Sequence, residues 1–155
     1  QGPRRMCRKY YQYKIVSGKI YEVKIMGGRG SSSGISDKGK KYGTEYHTVC
    51  QSGNIKFIKI NKGNITPPFE TMTKGRIYVT VSNQNKLKSI VYFDKYNKRY
   101  KQVDIDHPHR IDGVFTQPHT HKGYSHGEKG DREVMPKESK MIDRVVKTWY
   151  NRIDK

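Results

Sequence analysis

The chain has 155 residues, 32 Lys+Arg against 14 Asp+Glu, and a formal net charge of +18 with a pI near 9.9. That balance predicts attraction to a polyanion, nucleic acid first, and repulsion from basic surfaces. No run of 18 apolar residues predicts a membrane span, no signal peptide is evident, and two cysteines (Cys7 and Cys50) make neither a zinc spacing nor a disulfide framework.

Gln1-Gly2-Pro3 has the form that a fusion-protease site leaves after cleavage, so residues 4–155 are read as one domain. At 32% hydrophobic the chain has modest core material, drawn from Ile, Val and Tyr, with a single Leu and no Ala. "YQYKIV" and "KIYEVKIM" alternate in polarity around Ser17-Gly18 and predict a hairpin. Residues 27–43, "GGRGSSSGISDKGKKYG", hold six glycines and four serines without an apolar face, and predict a loop. "NIKFIKI" (54–60) alternates as a strand, and "NKGNITPPFE" ends it.

"GRIYVTV", "KLKSIVYF" and "RYKQVDI" have period 2, and the short polar connections "SNQN" and "DKYNK" predict an antiparallel meander over 75–105. Residues 106–135 read as loop-like, with Pro108, Pro118 and several glycines. The last element, "PKESKMIDRVVKTWYNRI", predicts a helix. Pro136 stands near its start, and Met141, Ile142, Val145, Val146, Trp149 and Ile153 lie on one face. The expected fold is α+β: an antiparallel meander sheet packed against a C-terminal amphipathic helix, with long Gly/Ser- and His-rich loops.

Three constellations carry chemistry. In "GGRGSSSG", glycines free the backbone to turn N–H groups toward an anion. Gly28, Gly30, Ser31 and Ser32 are candidate phosphate contacts, with Arg29 as a bidentate partner. His47 before Cys50 is a weak thiol–imidazole pair. The strongest is "DHPHRIDGVFTQPHTHKGYSH" (106–126), with five of the six histidines: His107, His109, His119, His121 and His126.

As metal ligands, those histidines with Asp104, Asp106 or Asp112 suit zinc or another divalent metal. As acid and base, two imidazoles suit RNA cleavage, because RNA supplies its own 2′-OH nucleophile. Such an enzyme needs a base for that hydroxyl, an acid for the leaving 5′ oxygen and cations for the phosphate. As a third possibility the loop is only solvated.

The order "GGRGSSSG … KYGTEY … NIKF … TMTKGRIYVTV … IVYFD … DIDHPH … PHTHKGY", across roughly residues 20–152, resembles a domain at the C-terminus of minor head proteins in phages and prophages of low-GC Gram-positive bacteria. Similar modules form the toxin tips of polymorphic toxins, and they group with the barnase, EndoU, colicin and RelE-like ribonuclease superfamily. The resemblance implies a metal-independent endoribonuclease toxin that leaves a 2′,3′-cyclic phosphate and needs no cofactor. It points to Arg29, the serines after it, Thr73, Arg76, His107, His109, His119 and His121, with Lys74 beside the phosphate contacts. Tyr124 is a candidate for stacking a base. One of His107 and His109 is expected to face one of His119 and His121, with "RIDGVFTQ" as a hairpin tip that brings the pairs together. RNA and an acidic immunity protein are the implied partners, and the bacterial cytoplasm the implied place of action, from a capsid-associated or secreted parent. The rival readings are a His-ligated metal-dependent nuclease or hydrolase and a non-enzymatic nucleic-acid-binding module of the phage head.

Overall fold

A computed structural model describes residues 11–16, 19–24, 45–63, 67–125 and 127–151. The glycine-serine loop with Gly28, Arg29, Gly30, Ser31 and Ser32 lies outside these residues, as do Cys7, His126 and Ile153. The first two segments are β1 (Tyr11–Val16) and β2 (Lys19–Lys24), antiparallel with Val16 opposite Lys19, as the flanking alternation predicts.

Among the described residues the main sheet has seven strands, in the order β11-β10-β7-β6-β5-β4-β3. Its members are β3 (Tyr46–Ser52), β4 (Ile55–Ile60), β5 (Ile77–Val81), β6 (Leu87–Phe93), β7 (Arg99–Asp104), β10 (His119–Lys122) and β11 (Asp131–Glu133). The β5-β6-β7 meander is antiparallel, as predicted; the β4–β5 pair is parallel and the other pairs antiparallel. With α1 (Pro136–Asn151), the one helix among the described residues, this is the expected α+β plan.

One face of the sheet is an apolar core. Cys50, Ile55, Phe57, Val79, Val81, Ile90 and Val103 pack with Val145 and Trp149 of α1, and Met141, Ile142 and Val146 join them. Trp149 stacks on Phe57 at 5.3 Å, and its Nε1–H donates to the Asn85 carbonyl at 3.0 Å. The indole is thereby buried without an unmet donor. Cys50 is disulfide-bonded on this face, which removes the His47/Cys50 thiol pair. The opposite face grades from apolar at one end (Tyr46, Ile58, Tyr78, Val91) to titratable at the other.

The reading of 106–135 as loop needs correction. It contains β8 (His109–Ile111) and β9 (Val114–Thr116), which form a hairpin, and then β10 and β11 of the main sheet. The signal is Asp112-Gly113 between apolar flanks. Both residues have positive φ (49° and 81°), as a two-residue turn with a primed twist requires. These strands are only three or four residues long, and β10 and β11 are polar throughout, so they carry almost no hydrophobic periodicity.

Candidate active site

The meander places Asp104 at the end of β7, and β10 pairs with β7 so that His119 lies opposite Asp104 and His121 opposite Gln102. Alternation along β10 sends His119 and His121 to one face and Thr120 to the other. There the Thr120 hydroxyl donates to Glu138 Oε1 at 3.0 Å. Glu138 is the third residue of α1; its carboxylate accepts the Met135 N–H and both Arg132 terminal nitrogens, and pairs with Lys101 at 2.9 Å. The return of an N3 glutamate to the residue before the helix is half of a capping box. Burial would raise the Glu138 carboxyl, but its bonds to Arg132, Met135 and Lys101 outweigh that and lower it to about 2. This node fixes the start of α1 to β7, β10 and β11, and so fixes the back of the strand that carries the histidines.

On the front, four imidazoles and three carboxylates converge. Asp104 Oδ2 is 2.8 Å from His121 Nε2, 3.3 Å from His119 Nε2 and 3.5 Å from His107 Nε2. The two Nε2 atoms of His119 and His121 are 2.9 Å apart. Across the next strand pair His121 faces Asp131, and its Nδ1 meets Asp131 Oδ1 at 2.5 Å. The other oxygen of Asp131 takes His109 Nε2 at 2.8 Å. His107 Nδ1 meets Asp106 Oδ1 at 2.9 Å, and Asp106 is paired with Lys88.

The Asp112-Gly113 hairpin folds His109 back over β10. The rings of His107 and His109 come within 5.1 and 5.2 Å of the His119 ring. The structure therefore brings both His-X-His pairs together, as the hairpin expectation required. Within the set the pairs differ: His119 is fully buried and His121 nearly so, while the His107 and His109 side chains are 54% and 38% exposed.

A second layer holds Asp104 in place. Its Oδ1 accepts Gln102 Nε2 at 2.7 Å, Gln102 Oε1 accepts Arg99 Nη1 at 3.1 Å, and Arg99 donates twice to the Tyr124 carbonyl. Arg99 also lies 3.8 Å over the Phe69 ring. The loop from β10 to β11 begins at Gly123, whose φ is 107° and where a Cβ would come within 2.6 Å of the Glu128 carboxylate. That carboxylate accepts the Tyr124 and Ser125 N–H groups. At the loop's base the Lys122 N–H donates to the Gly130 carbonyl, and the two strands pair with Asp131 opposite His121.

The electrostatics separate the two inner histidines. Burial of His121 alone would lower its pKa, but hydrogen bonds and charge from Asp104 and Asp131 prevail and raise it. Burial lowers that of His119, and the neighbouring imidazoles add to this against the pull of Asp104. Burial pushes Asp104 up, yet its bonds from His121 and Gln102 and the charges of His121 and His107 hold it below the ordinary carboxylate range.

Of the other candidates, Tyr124 packs its ring on Phe69 at 5.1 Å and donates its hydroxyl to Glu70 at 3.2 Å, so it serves the scaffold behind Asp104. Thr73, Lys74 and Arg76 lie before β5. The Thr73 N–H is held by the Thr71 hydroxyl, and the Arg76 N–H by the Thr73 carbonyl. Arg76 is three strands from β10 and at the other end of β5 from Thr80, whose row leads through Ser89 to Asp104. At about 4.8 Å per strand and roughly 3.4 Å per residue, this puts it roughly 20 Å from His119. The structure does not bring that group to the histidines. The nearer cations are Lys88, on Asp106, and Arg110, which follows His109 and lies 4.6 Å over the Phe115 ring.

The residues that sequence reasoning missed are Asp131, Gln102, Arg99 and Glu138. Asp131 becomes visible only when "DRE" is paired as a strand against "HTHK". No family model, curated protein or solved structure matches this chain.

Proposed function

We propose that this site belongs to a metal-independent endoribonuclease, the activity that the sequence resemblance implies. One observation carries the reading. Two solvent-facing imidazoles, His107 and His109, are each held by a carboxylate, and those carboxylates are joined through the buried His121. Such an arrangement supplies two proton-transfer groups, each with its ring near that of His119, and a chain of carboxylates and imidazole between them.

In the proposed reaction one of the two exposed imidazoles takes the proton of the ribose 2′-OH. The 2′ oxygen bonds to phosphorus, the bond from phosphorus to the 5′ oxygen breaks, and the other imidazole gives its proton to that oxygen. The products are a 2′,3′-cyclic phosphate and a free 5′-OH. His107 and His109 are the catalytic residues; Asp104, Asp106, Asp131, His119 and His121 are positioning residues that act through them. His121 between two carboxylates favours its charged form and so offsets Asp104 and Asp131 beneath a polyanion.

The +18 chain draws the substrate. Arg110 over Phe115, at the exposed end of the β8–β9 hairpin, offers a stacking surface for an unpaired base, the role first considered for Tyr124. An acidic immunity protein is the fitting inhibitor for such a surface. The experiment is incubation of the purified chain with total RNA in EDTA, followed by analysis of the new ends. Cyclic phosphate ends are expected. Intact RNA, or 3′-OH ends, would refute the assignment.

A further inference from the structure

The geometry points to a binding site for a zinc-class divalent ion at Asp104, His107 and His119, where the ion would inhibit. The ligand atoms are Asp104 Oδ2, His107 Nε2 and His119 Nε2, which all lie within 4.8 Å of one another. Two of the separations are 3.3 and 3.5 Å. Ligand atoms on a tetrahedral ion at bond lengths of about 2.1 Å stand about 3.4 Å apart, so both spacings from Asp104 already suit such an ion. The donor set of two imidazoles and one carboxylate suits zinc, cobalt or nickel better than magnesium or calcium.

Two of the three ligands are oriented from behind, as metal ligands usually are. His107 has Asp106 on its other nitrogen, and Asp104 has Gln102 on its other oxygen. His119 lacks this support: among the described residues its buried Nδ1 has no hydrogen-bond partner. A missing second partner weakens such a site by about 10- to 100-fold, which makes this an exchangeable site and not a permanent structural one.

The ion would bind His107 Nε2 and so take that imidazole out of proton transfer, and would neutralise Asp104. It would therefore switch cleavage off. The inhibitory part rests on the ribonuclease reading; the binding part does not.

The test is titration of the EDTA-treated, dialysed chain with cobalt(II), read by the visible absorption of tetrahedral cobalt, with zinc as competitor. One equivalent of cobalt per chain, displaced by zinc, is expected. His107→Ala removes an exposed ligand without opening the core and should weaken binding by about tenfold or more, whereas His47→Ala on β3 should not change it. No cobalt band, or equal affinity in His107→Ala, would overturn the site. In the RNA assay one equivalent of zinc should stop cleavage and EDTA should restore it. Stimulation by zinc would overturn the inhibitory role and make the ion a cofactor. A cobalt band with no RNA cleavage under any condition would remove the ribonuclease reading, and the inhibition with it, while the binding site stands.

Discussion

The two faces of β10 differ in how their charged groups are partnered. Thr120 points to the helix side, where Glu138 gathers Arg132, Lys101, the Met135 N–H and the Thr120 hydroxyl into a closed set of paired groups. His119 and His121 point to the other side, where four imidazoles and three carboxylates lie against one another. One four-residue strand carries both. The first face is ionic but inert, because each charge has a fixed partner and the opposing charges sit in contact. The second is the face on which the proposed proton transfer would run, because its imidazoles and carboxylates lie in hydrogen-bond contact and two of its imidazoles reach solvent. A buried polar network stabilises when satisfied, and it can transfer protons when its members compete.

Substitutions should separate the faces. His107→Ala or His109→Ala should lower RNA cleavage by about 10²- to 10⁴-fold, with thermal denaturation moved by no more than a few degrees, since both side chains are partly exposed. Initial rates and melting curves on the same preparations check both halves. On the helix side Trp149→Ala should do the reverse. Loss of a fully buried indole stacked on Phe57 should destabilise by about 3–5 kcal/mol, seen in urea unfolding. The protein that remains folded should keep its activity.

Glu138 adds a pH signature. Its carboxyl is lowered from 4.5 to about 2 in the fold, so its contribution is complete above pH 4.5 and is lost as pH falls toward 2. The shift corresponds to about 3 kcal/mol at full value, and the partly exposed Arg132 and Lys101 partners reduce this to about 2 kcal/mol. Glu138→Gln should flatten that part of the stability profile in acid urea denaturation; an unchanged slope would show that the node is not the origin. The smallest effect is at the hairpin. Phe115→Ala should weaken binding of single-stranded RNA by about 1–3 kcal/mol, measured by fluorescence anisotropy, and leave the melting temperature unchanged.

How much was legible beforehand follows the hydrophobic period. The meander and α1 announce themselves, because Ile77, Val79, Ile90 and Val103 alternate and Met141, Val145 and Trp149 recur at helical spacing. β3 and the four short strands after Asp106 do not, since tertiary pairing and turns define them more than apolar patterning does. The histidines were visible by their clustering, and their convergence by the "IDGV" turn. Which of them meet solvent was not. That depends on β10 becoming an interior strand between β7 and β11, which buries His119 and His121 and leaves His107 and His109 at the rim. The carboxylates Asp131 and Glu138 are ordinary surface residues by composition, and acquire partners only through strand pairing and the helix start.

The measurement that bears most directly on the account is cleavage of a defined single-stranded RNA in EDTA by the wild-type chain, His107→Ala and His109→Ala, with the ends of the products identified. The account predicts 2′,3′-cyclic phosphate ends from the wild type and losses of about 10² or more from each variant. Equal cleavage by all three, or none by the wild type, would contradict it.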